Sequence, residues 1–159
     1  MQPPIADVAG SCKTSVGADV QPGVMSTPST PGSPSTHVTE LAAFTIDTPD
    51  ASRLAAFYAA LAGGQVTMDH PEWGYAQTTI GPHTLNFQGV ADYTAPRWPD
   101  QAHPQQFHLD FRVADLEAAA AEATGLGASA AEEQPGGDAY RVMLDPDGHP
   151  FCLCPPAPA

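Results

Sequence analysis

The sequence predicts one α+β domain built from two copies of a β-α-β-β-β module. One sequence pattern starts near Leu41 and again near Gln106. It consists of a stretch in which apolar residues alternate with others, then an Asp, then an Ala-rich amphipathic run that ends in Gly. Aligning Asp50 with Asp115, an offset of 65 residues, superimposes the two copies. Three further strand candidates follow each copy. A chain of 159 residues with 42% hydrophobic content can bury one core, and hardly two.

The first module begins with a strand around Phe44 and Ile46, whose period of two is typical of a strand with one buried face. Asp50 stands at the N-cap position of a helix predicted over 51–61, and Gly63 ends that helix. The three strands that complete the module are predicted at 64–68, 75–80 and 84–88.

The second module repeats this order after a linker at 89–105. Leu109, Phe111 and Val113 alternate, and Asp115 caps a helix predicted over 116–124, which Gly125 or Gly127 ends. Strands are predicted at 128–132, 139–144 and 150–154. Allowing one residue of slippage, we match Phe87 with Phe151 and Gln88 with Cys152 across the repeat.

The domain is predicted to span 38–154, with modules at 40–88 and 106–154. Residues 1–36 hold 6 Pro, 4 Gly, 6 Ser and 4 Thr, a composition too poor in apolar surface to offset the entropy of ordering it. We expect a disordered tail there, and Met25 is an alternative start of translation. Residues 155–159 form a second short tail.

The charge balance excludes several partners. With 5 Lys+Arg against 18 Asp+Glu, the net charge of −13 disfavours nucleic acid and anionic membrane surfaces. The longest apolar run has nine residues, far below the ~20 that span a bilayer. Three Cys do not suggest a disulfide framework, so we expect a reduced, cytoplasmic protein.

Three strings in these modules resemble the vicinal oxygen chelate superfamily, the glyoxalase, bleomycin-resistance and ring-cleaving dioxygenase group. They are "TIDTPDASRLAAFYAAL", "FHLDFRVADLEAAAAEATGLGA" and "MLDPDGHPFCL". The style of "FHLDF" and "GHPFCL" is similar to the glyoxalase-like domains. The resemblance implies two modules forming a cupped mixed sheet, whose concave face holds a divalent metal with one ligand from each of four strands, usually His, Gln or Glu.

The ligand positions that the resemblance implies are Ala43, Gln88, His108 and Cys152. Ala43 offers no donor, and Cys152 replaces the usual Glu. A metal (Zn, Fe, Mn or Ni) held by His108, Gln88 and Cys152 is one alternative, since thiolate and imidazole suit zinc and iron. The other alternative, which two lost or weakened ligands favour, is that no metal is tightly held and that Cys152 and Cys154 fill the core.

Strand alternation also predicts which side chains share the open face with these positions. Asp110 and Arg112 follow His108 at intervals of two, and Asn86 precedes Gln88. The side chains that alternate with these, including that of Phe44, are predicted to lie under the helices. Such a polar face favours a binding site. The alternative is a partly solvated face on which Asp110 merely pairs with Arg112 or Arg141.

His108 beside Asp110 is the candidate catalytic pair, because an imidazole oriented by a carboxylate can act as a base near neutral pH. The alternative is a His satisfied by hydrogen bonds. The candidate substrate contacts come from both modules: Trp73, Tyr75, Asn86, Gln88, Arg112 and Cys152. Trp98 in the linker is interpreted as a loop anchor, with a lid or dimer contact as the alternative. Asp145, Asp147 and His149 are interpreted as turn residues.

Two functions from different classes follow. The first is a glyoxalase-like enzyme, of lyase or dioxygenase type, that moves a proton on a small oxygenated metabolite. The second is a non-catalytic protein that sequesters a small cationic or aromatic molecule, as the drug-resistance members of the superfamily do; the missing donor at Ala43 favours it. Members of this fold often form two-fold dimers, so a homodimer is an alternative to a monomer.

Overall fold

The computed structural model describes residues 37–156. The predicted tail at 1–36, with Cys12 and Met25, lies outside these residues, as do the last three positions. The elements in chain order are β1 (Phe44–Thr48), α1 (Ala51–Ala62), β2 (Gln65–His70), a 3-10 turn (Pro71–Trp73), β3 (Tyr75–Ile80), β4 (His83–Gly89), β5 (Leu109–Arg112), α2 (Leu116–Gly125), β6 (Ser129–Ala130), β7 (Arg141–Leu144) and β8 (Pro150–Cys154). No helix in this part of the chain is long and apolar enough to cross a bilayer.

The two modules each form a four-stranded mixed sheet, which confirms the predicted α+β duplication. The first sheet has the order β1-β4-β3-β2 and the second has the order β5-β8-β7-β6. In each sheet the outer first strand pairs in parallel with the last strand of its module, and the other pairings are antiparallel. The same topology is therefore built twice.

Both helices start at the predicted caps. The side chain of Asp50 accepts a hydrogen bond from the Arg53 amide at 3.0 Å, and that of Asp115 accepts one from the Ala118 amide at 2.9 Å. Gly63 closes α1 in the left-handed conformation, with φ of +62°. The composition of these helices and their caps was sufficient to predict their positions.

The match between β4 and β8 that the sequence suggested is wrong by two residues. Phe44 pairs with Leu85 in the first sheet, and its counterpart Leu109 pairs with Phe151 in the second. Leu85 is therefore the equivalent of Phe151, Asn86 that of Cys152, and Gln88 that of Cys154. Between the equivalent pairs Thr79–Thr84 and Leu144–Pro150 the β7–β8 turn is one residue longer than the β3–β4 turn, whereas matching Phe87 with Phe151 assumes that it is one residue shorter.

Helix α1 joins the two modules in one core. The ring of Tyr58 lies with its centroid 5.8 Å from that of Phe87 in the first sheet, and 6.2 and 6.4 Å from those of Phe111 and Phe151 in the second. Both sheets thus turn their helix-facing side toward α1. Phe44, predicted to lie under the helices, is 48% exposed because β1 is an edge strand and α1 packs mainly on β2, β3 and β4.

A buried polar network ties the β7–β8 turn to the first module. Asp145 accepts hydrogen bonds from the amides of Asp147 (2.8 Å) and His149 (2.9 Å), as turn residues should. The same carboxylate also accepts from the Tyr58 hydroxyl at 2.9 Å and contacts the His149 ring at 2.9 Å.

Asp147 extends this contact to the start of α1. Its carboxylate accepts a hydrogen bond from the Thr48 hydroxyl at 2.5 Å and forms an ion pair with Arg53. Burial, and then the charge of Asp145, raise the pKa of Tyr58 well above its ordinary value, so the hydroxyl stays a donor. We name these residues the junction network: Thr48, Arg53, Tyr58, Asp145, Asp147 and His149.

Candidate functional site

The open face of the second sheet brings three metal- and proton-binding side chains together. Asp110 on β5 and Cys152 on β8 are direct partners across the parallel pair. His108 precedes Asp110 by two residues, so it shares the same face. One donor atom from each of the three residues lies within 4.8 Å of the others. The strands themselves therefore fix this cluster, which we name the His108 cluster.

The His108 ring is buried without a satisfied nitrogen. Its side chain is 16% exposed, and neither Nδ1 nor Nε2 makes a well-aligned hydrogen bond among the described residues. Nε2 lies 3.2 Å from Oδ1 of Asp110, a hydrogen-bond distance with an unfavourable direction. Burial lowers the pKa of His108 below its ordinary value, and the neighbouring Asp110 carboxylate opposes that shift only in part. Burial therefore favours the neutral form of the imidazole.

The interpretation of Asp110 as a partner of surface arginines is wrong. Arg112 donates from Nη1 to the backbone carbonyl of Pro155 at 2.9 Å, and Arg141 pairs with Glu117 on α2. The side chain of Asp110 is 35% exposed and lies against His108. Its position suits a group that orients or complements the imidazole. The role of Arg112 as a substrate contact stays a prediction.

The two cysteines of β8 share one face and one buried apolar cluster. Both are buried and belong to an apolar cluster with Val142, against which Trp98 of the linker packs. This contact is the loop anchor that the sequence suggested for Trp98. Core filling therefore describes Cys154, while Cys152 also belongs to the His108 cluster.

The open face of the first sheet is lined by amides and a phenol. Register places Asn86 between Thr45 and Gln77, and Gln88 between Asp47 and Tyr75. The carbonyl oxygen of Asn86 accepts a hydrogen bond from Nε2 of Gln77 at 3.0 Å. Gln88 is exposed. Gln77 is a polar residue of this face that the sequence analysis missed, although its spacing of two from Tyr75 was visible.

Trp73 lies beside this face rather than within a strand. It ends the 3-10 turn between β2 and β3, and it is 72% exposed. Its ring stacks on that of His70, with centroids 4.5 Å apart. Pro71 and Gly74 enforce this turn between the two strands. The stacked pair offers an accessible aromatic surface.

The four-strand metal set implied by the resemblance does not fit these residues. Ala43 carries no donor, and the register replaces Gln88 by Asn86 as the equivalent of Cys152. The carbonyl oxygen of Asn86 is already bonded to Gln77.

A groove between the helices is the competing place for a ligand. It has a volume of about 560 Å³ and lies where the end of α1, the end of β3 and the start of α2 meet. Leu61, Ile80 and Ala118 form its apolar walls. The side chain of Asp115 also lines the groove, but it already accepts a hydrogen bond as the N-cap of α2. Because two of its three charged side chains, Arg112 and Asp115, are already engaged in hydrogen bonds, the His108 cluster is the stronger candidate.

The architecture defines the class of paired β-α-β-β-β proteins, in which two mixed sheets pack through their helices. The family model of the glyoxalase-like domain matches residues 43–154. The chain therefore belongs to the glyoxalase-like domain family, within the vicinal oxygen chelate superfamily. A comparison with curated proteins finds no match.

Solved structures share this fold at low sequence identity. A glyoxalase/bleomycin resistance protein/dioxygenase family enzyme from Burkholderia phytofirmans PsJN is 18% identical, with a TM-score of 0.56, over 74% of this chain and 98% of that one. The fosfomycin resistance protein FosX from Listeria monocytogenes is 14% identical, with a TM-score of 0.56 (75% and 94%). The trypanothione-dependent glyoxalase I of Leishmania major is 23% identical, with a TM-score of 0.52 (74% and 87%). At these identities the likeness concerns the fold alone.

Proposed function

We propose that this chain binds a small molecule on the open faces of its sheets, with His108 and Asp110 at the centre of the site. The observation that carries the proposal is the His108 ring, whose two nitrogens are buried without a well-aligned partner among the described residues. Buried polar atoms in native proteins normally have partners, since an unpaired one costs about 1–3 kcal/mol. A polar group of a ligand would supply the missing partner.

The first form of this function is proton transfer on a small oxygenated metabolite. We assign the base to one nitrogen lone pair of the neutral His108 ring, with the Asp110 carboxylate 3.2 Å from Nε2 as the group beside it. This acceptor would remove a proton from a carbon next to a carbonyl. Asn86, Gln88 and Arg112 are the proposed contacts for ligand oxygens, and Cys152 is a proposed neighbour of the reacting group.

The second form is sequestration without turnover. Ala43 favours it, because the first metal-ligating position implied by the resemblance holds only a methyl group. The exposed stack of Trp73 on His70, with Tyr75 on the adjacent strand, would hold a flat or cationic molecule. The net charge of −13 attracts cations to the whole surface. FosX, which shares the fold, is a resistance protein.

A matched pair of histidine variants tests the site. Wild type, His108→Ala and His83→Ala are screened by thermal shift against small 2-oxo and hydroxycarbonyl compounds, cationic aromatic compounds and fosfomycin, with chelator present. His83 is exposed at the start of β4 and serves as the control. We expect at least one compound whose affinity falls by more than about tenfold in His108→Ala and is unchanged in His83→Ala.

Proton exchange then separates the two forms. Each binding compound is incubated with the protein in D₂O, and replacement of C–H by C–D is followed by NMR. Exchange that is lost in His108→Ala supports the enzyme, whereas binding without exchange supports sequestration. Binding that is equally strong in His108→Ala would contradict the site in both forms.

The proposal includes a homodimer, because members of this superfamily often assemble as two-fold pairs. Sedimentation equilibrium of the full chain gives the mass directly. A dimer is expected at micromolar concentration, and a monomer at every concentration would remove this part of the proposal.

A further inference from the structure

We propose that the linker between the two modules is a lid over the open face of the second sheet, held closed by His149. We name residues 93–106 of this linker the strap. The strap is closed in this structure, and its opening would uncover Cys152 beside His108. What the lid admits rests on the proposed function, whereas the opening itself is tested on the cysteine thiols alone.

The face under the strap is buried although it points away from the helices. Val142 and Cys152 are partners across β7 and β8, and each is 0% exposed. Both belong to a cluster separate from the core around α1, as strand alternation requires. The aromatic rings that pack on this cluster are Trp98 of the strap and Tyr140 before β7. Trp98 is therefore the part of the cover that the second module does not supply.

Both ends of the strap bind one buried histidine. Nε2 of His149 lies 2.9 Å from the Tyr93 hydroxyl and 3.1 Å from Oε1 of Gln106. The side-chain nitrogen of Gln106 donates to the carbonyl of Thr94 at 3.1 Å, so Oε1 faces the ring and Nε2 donates to it. The other ring nitrogen of His149 contacts Asp145 at 2.9 Å. One imidazole thus fixes the two ends of the strap to the β7–β8 turn.

The first end of the strap also packs directly on this turn. The Tyr93 hydroxyl donates to the carbonyl of Asp147 at 3.0 Å. A Cβ added at Gly148 would lie 3.4 Å from the Cβ of Ala95 and 3.5 Å from the carbonyl oxygen of Pro96, which is itself buried. The closed position of the strap is therefore defined by contacts at its ends and by the single ring of Trp98.

The middle of the strap is tied mainly to itself. Among the described residues, its backbone hydrogen bonds run from the Arg97 amide to the His103 carbonyl and from the Asp100 amide to the Arg97 carbonyl. The Asp100 carboxylate also contacts the His103 ring at 3.2 Å. Opening therefore breaks side-chain contacts and leaves the strand ladders intact, which is typical of segments that open locally below the free energy of global unfolding.

The strap controls one side of the His108 cluster. Donor atoms of His108, Asp110 and Cys152 lie within 4.8 Å of one another, but the three residues differ in access. The side chain of Asp110 is 35% exposed and that of His108 is 16% exposed, whereas Cys152 is 0% exposed. A ligand that contacts His108 from the Asp110 side needs no opening. A ligand that also contacts Cys152 requires the strap to move.

Thiol alkylation tests the lid without any ligand. The full chain in chelator is treated with N-ethylmaleimide near neutral pH, and modification of Cys152 and Cys154 is followed by site-resolved mass spectrometry at increasing urea below the unfolding transition. Local opening exposes little surface, so the rate should depend weakly on urea, whereas global unfolding gives a steep dependence. We expect both thiols to react more than about a hundredfold more slowly than in the unfolded chain, with a weak urea dependence.

Matched variants identify the contacts that hold the strap. Gln106→Leu removes one bond to His149 from an exposed side chain and should speed alkylation of both cysteines about fivefold, whereas Gln105→Leu, at its exposed neighbour, should not. Trp98→Ala removes the cover itself and should speed alkylation by more than about tenfold. Because Gln106 is exposed, its variant keeps the test decisive where Trp98→Ala lowers stability.

The lid is refuted if alkylation of Cys152 is as slow in Gln106→Leu and Trp98→Ala as in wild type, or if its urea dependence equals that of unfolding. Alkylation of folded wild type at the unfolded rate would also refute it. Ligand binding with alkylation that ignores the strap variants would refute the lid alone. Strap-dependent alkylation without any ligand in the small-molecule screen would refute the proposed function alone.

Discussion

Replacing Tyr58 by Phe removes one hydroxyl from the junction network and leaves the aromatic packing intact. The hydroxyl donates to the buried carboxylate of Asp145 at 2.9 Å, and the ring stacks between Phe87 and Phe111. Tyr58 belongs to the first module and Asp145 to the second. The substitution therefore measures how strongly this one hydrogen bond holds the modules together.

The expected loss follows from the charge and burial of the acceptor. A hydrogen bond to a charged group contributes about 1.5–3 kcal/mol to the free energy of unfolding, and here the acceptor has no access to water that could replace the lost donor. For a domain of this size each kcal/mol lowers the melting temperature by about 4 °C. We expect Tyr58→Phe to melt roughly 6–12 °C below wild type.

The assays are thermal melting and urea denaturation, both followed by circular dichroism, with Tyr75→Phe as the matched control. The Tyr75 hydroxyl accepts only a 3.5 Å contact from Gln77 on the open face, so its loss should change the free energy of unfolding by less than about 0.5 kcal/mol. If Tyr58→Phe is as stable as Tyr75→Phe, the junction network does not contribute as described.

Three further predictions concern stability. Asp115→Ala removes the side chain that caps α2 and should cost about 1 kcal/mol in urea denaturation. Gly148→Ala places a Cβ at φ of +90° and 3.4 Å from the Cβ of Ala95, which should cost about 1–3 kcal/mol in the same assay. The lowered pKa of His108 predicts that metal-free wild type loses stability as pH falls below the usual 6.5, where the unfolded chain takes up a proton first. His108→Gln should lose less between pH 7 and 5, and equal losses would contradict the assigned direction.

The duplication was predictable from sequence because its signals are local. Asp50 and Asp115 cap helices, and Gly63 ends one, through hydrogen bonds within a single turn. The alternation at Leu109 and Phe111 marks a strand with one buried face. Such features require no knowledge of what packs against them, so one sequence was enough to find them.

The equivalence of Gln88 and Cys152 failed because register between distant strands is not a local property. The longer β7–β8 turn shifts β8 relative to β4, and only the pairing of Phe44 with Leu85 and of Leu109 with Phe151 exposes the shift. The consequence is functional. In the observed register the candidate metal-ligating side chain of the first module is not the exposed amide of Gln88. It is Asn86, whose side chain is already hydrogen-bonded.

The junction network was missed because its residues look like ordinary turn residues. Asp147 and His149 follow a proline in a pattern typical of turns, and nothing local indicates that Arg53, 94 residues earlier, approaches that turn. The second half of the duplication shows the contrast. Ala118 stands where Arg53 stands, and the groove beside Ile80 lies at that end of the molecule.

Mapping ligand contacts by NMR tests the central claim most directly. Compounds that bind in the thermal-shift screen are titrated into ¹⁵N-labelled protein in chelator, and the amide shift changes are assigned. The account predicts changes centred on His108, Asp110 and Cys152. Changes centred instead on the groove lined by Leu61, Ile80 and Ala118 would contradict it.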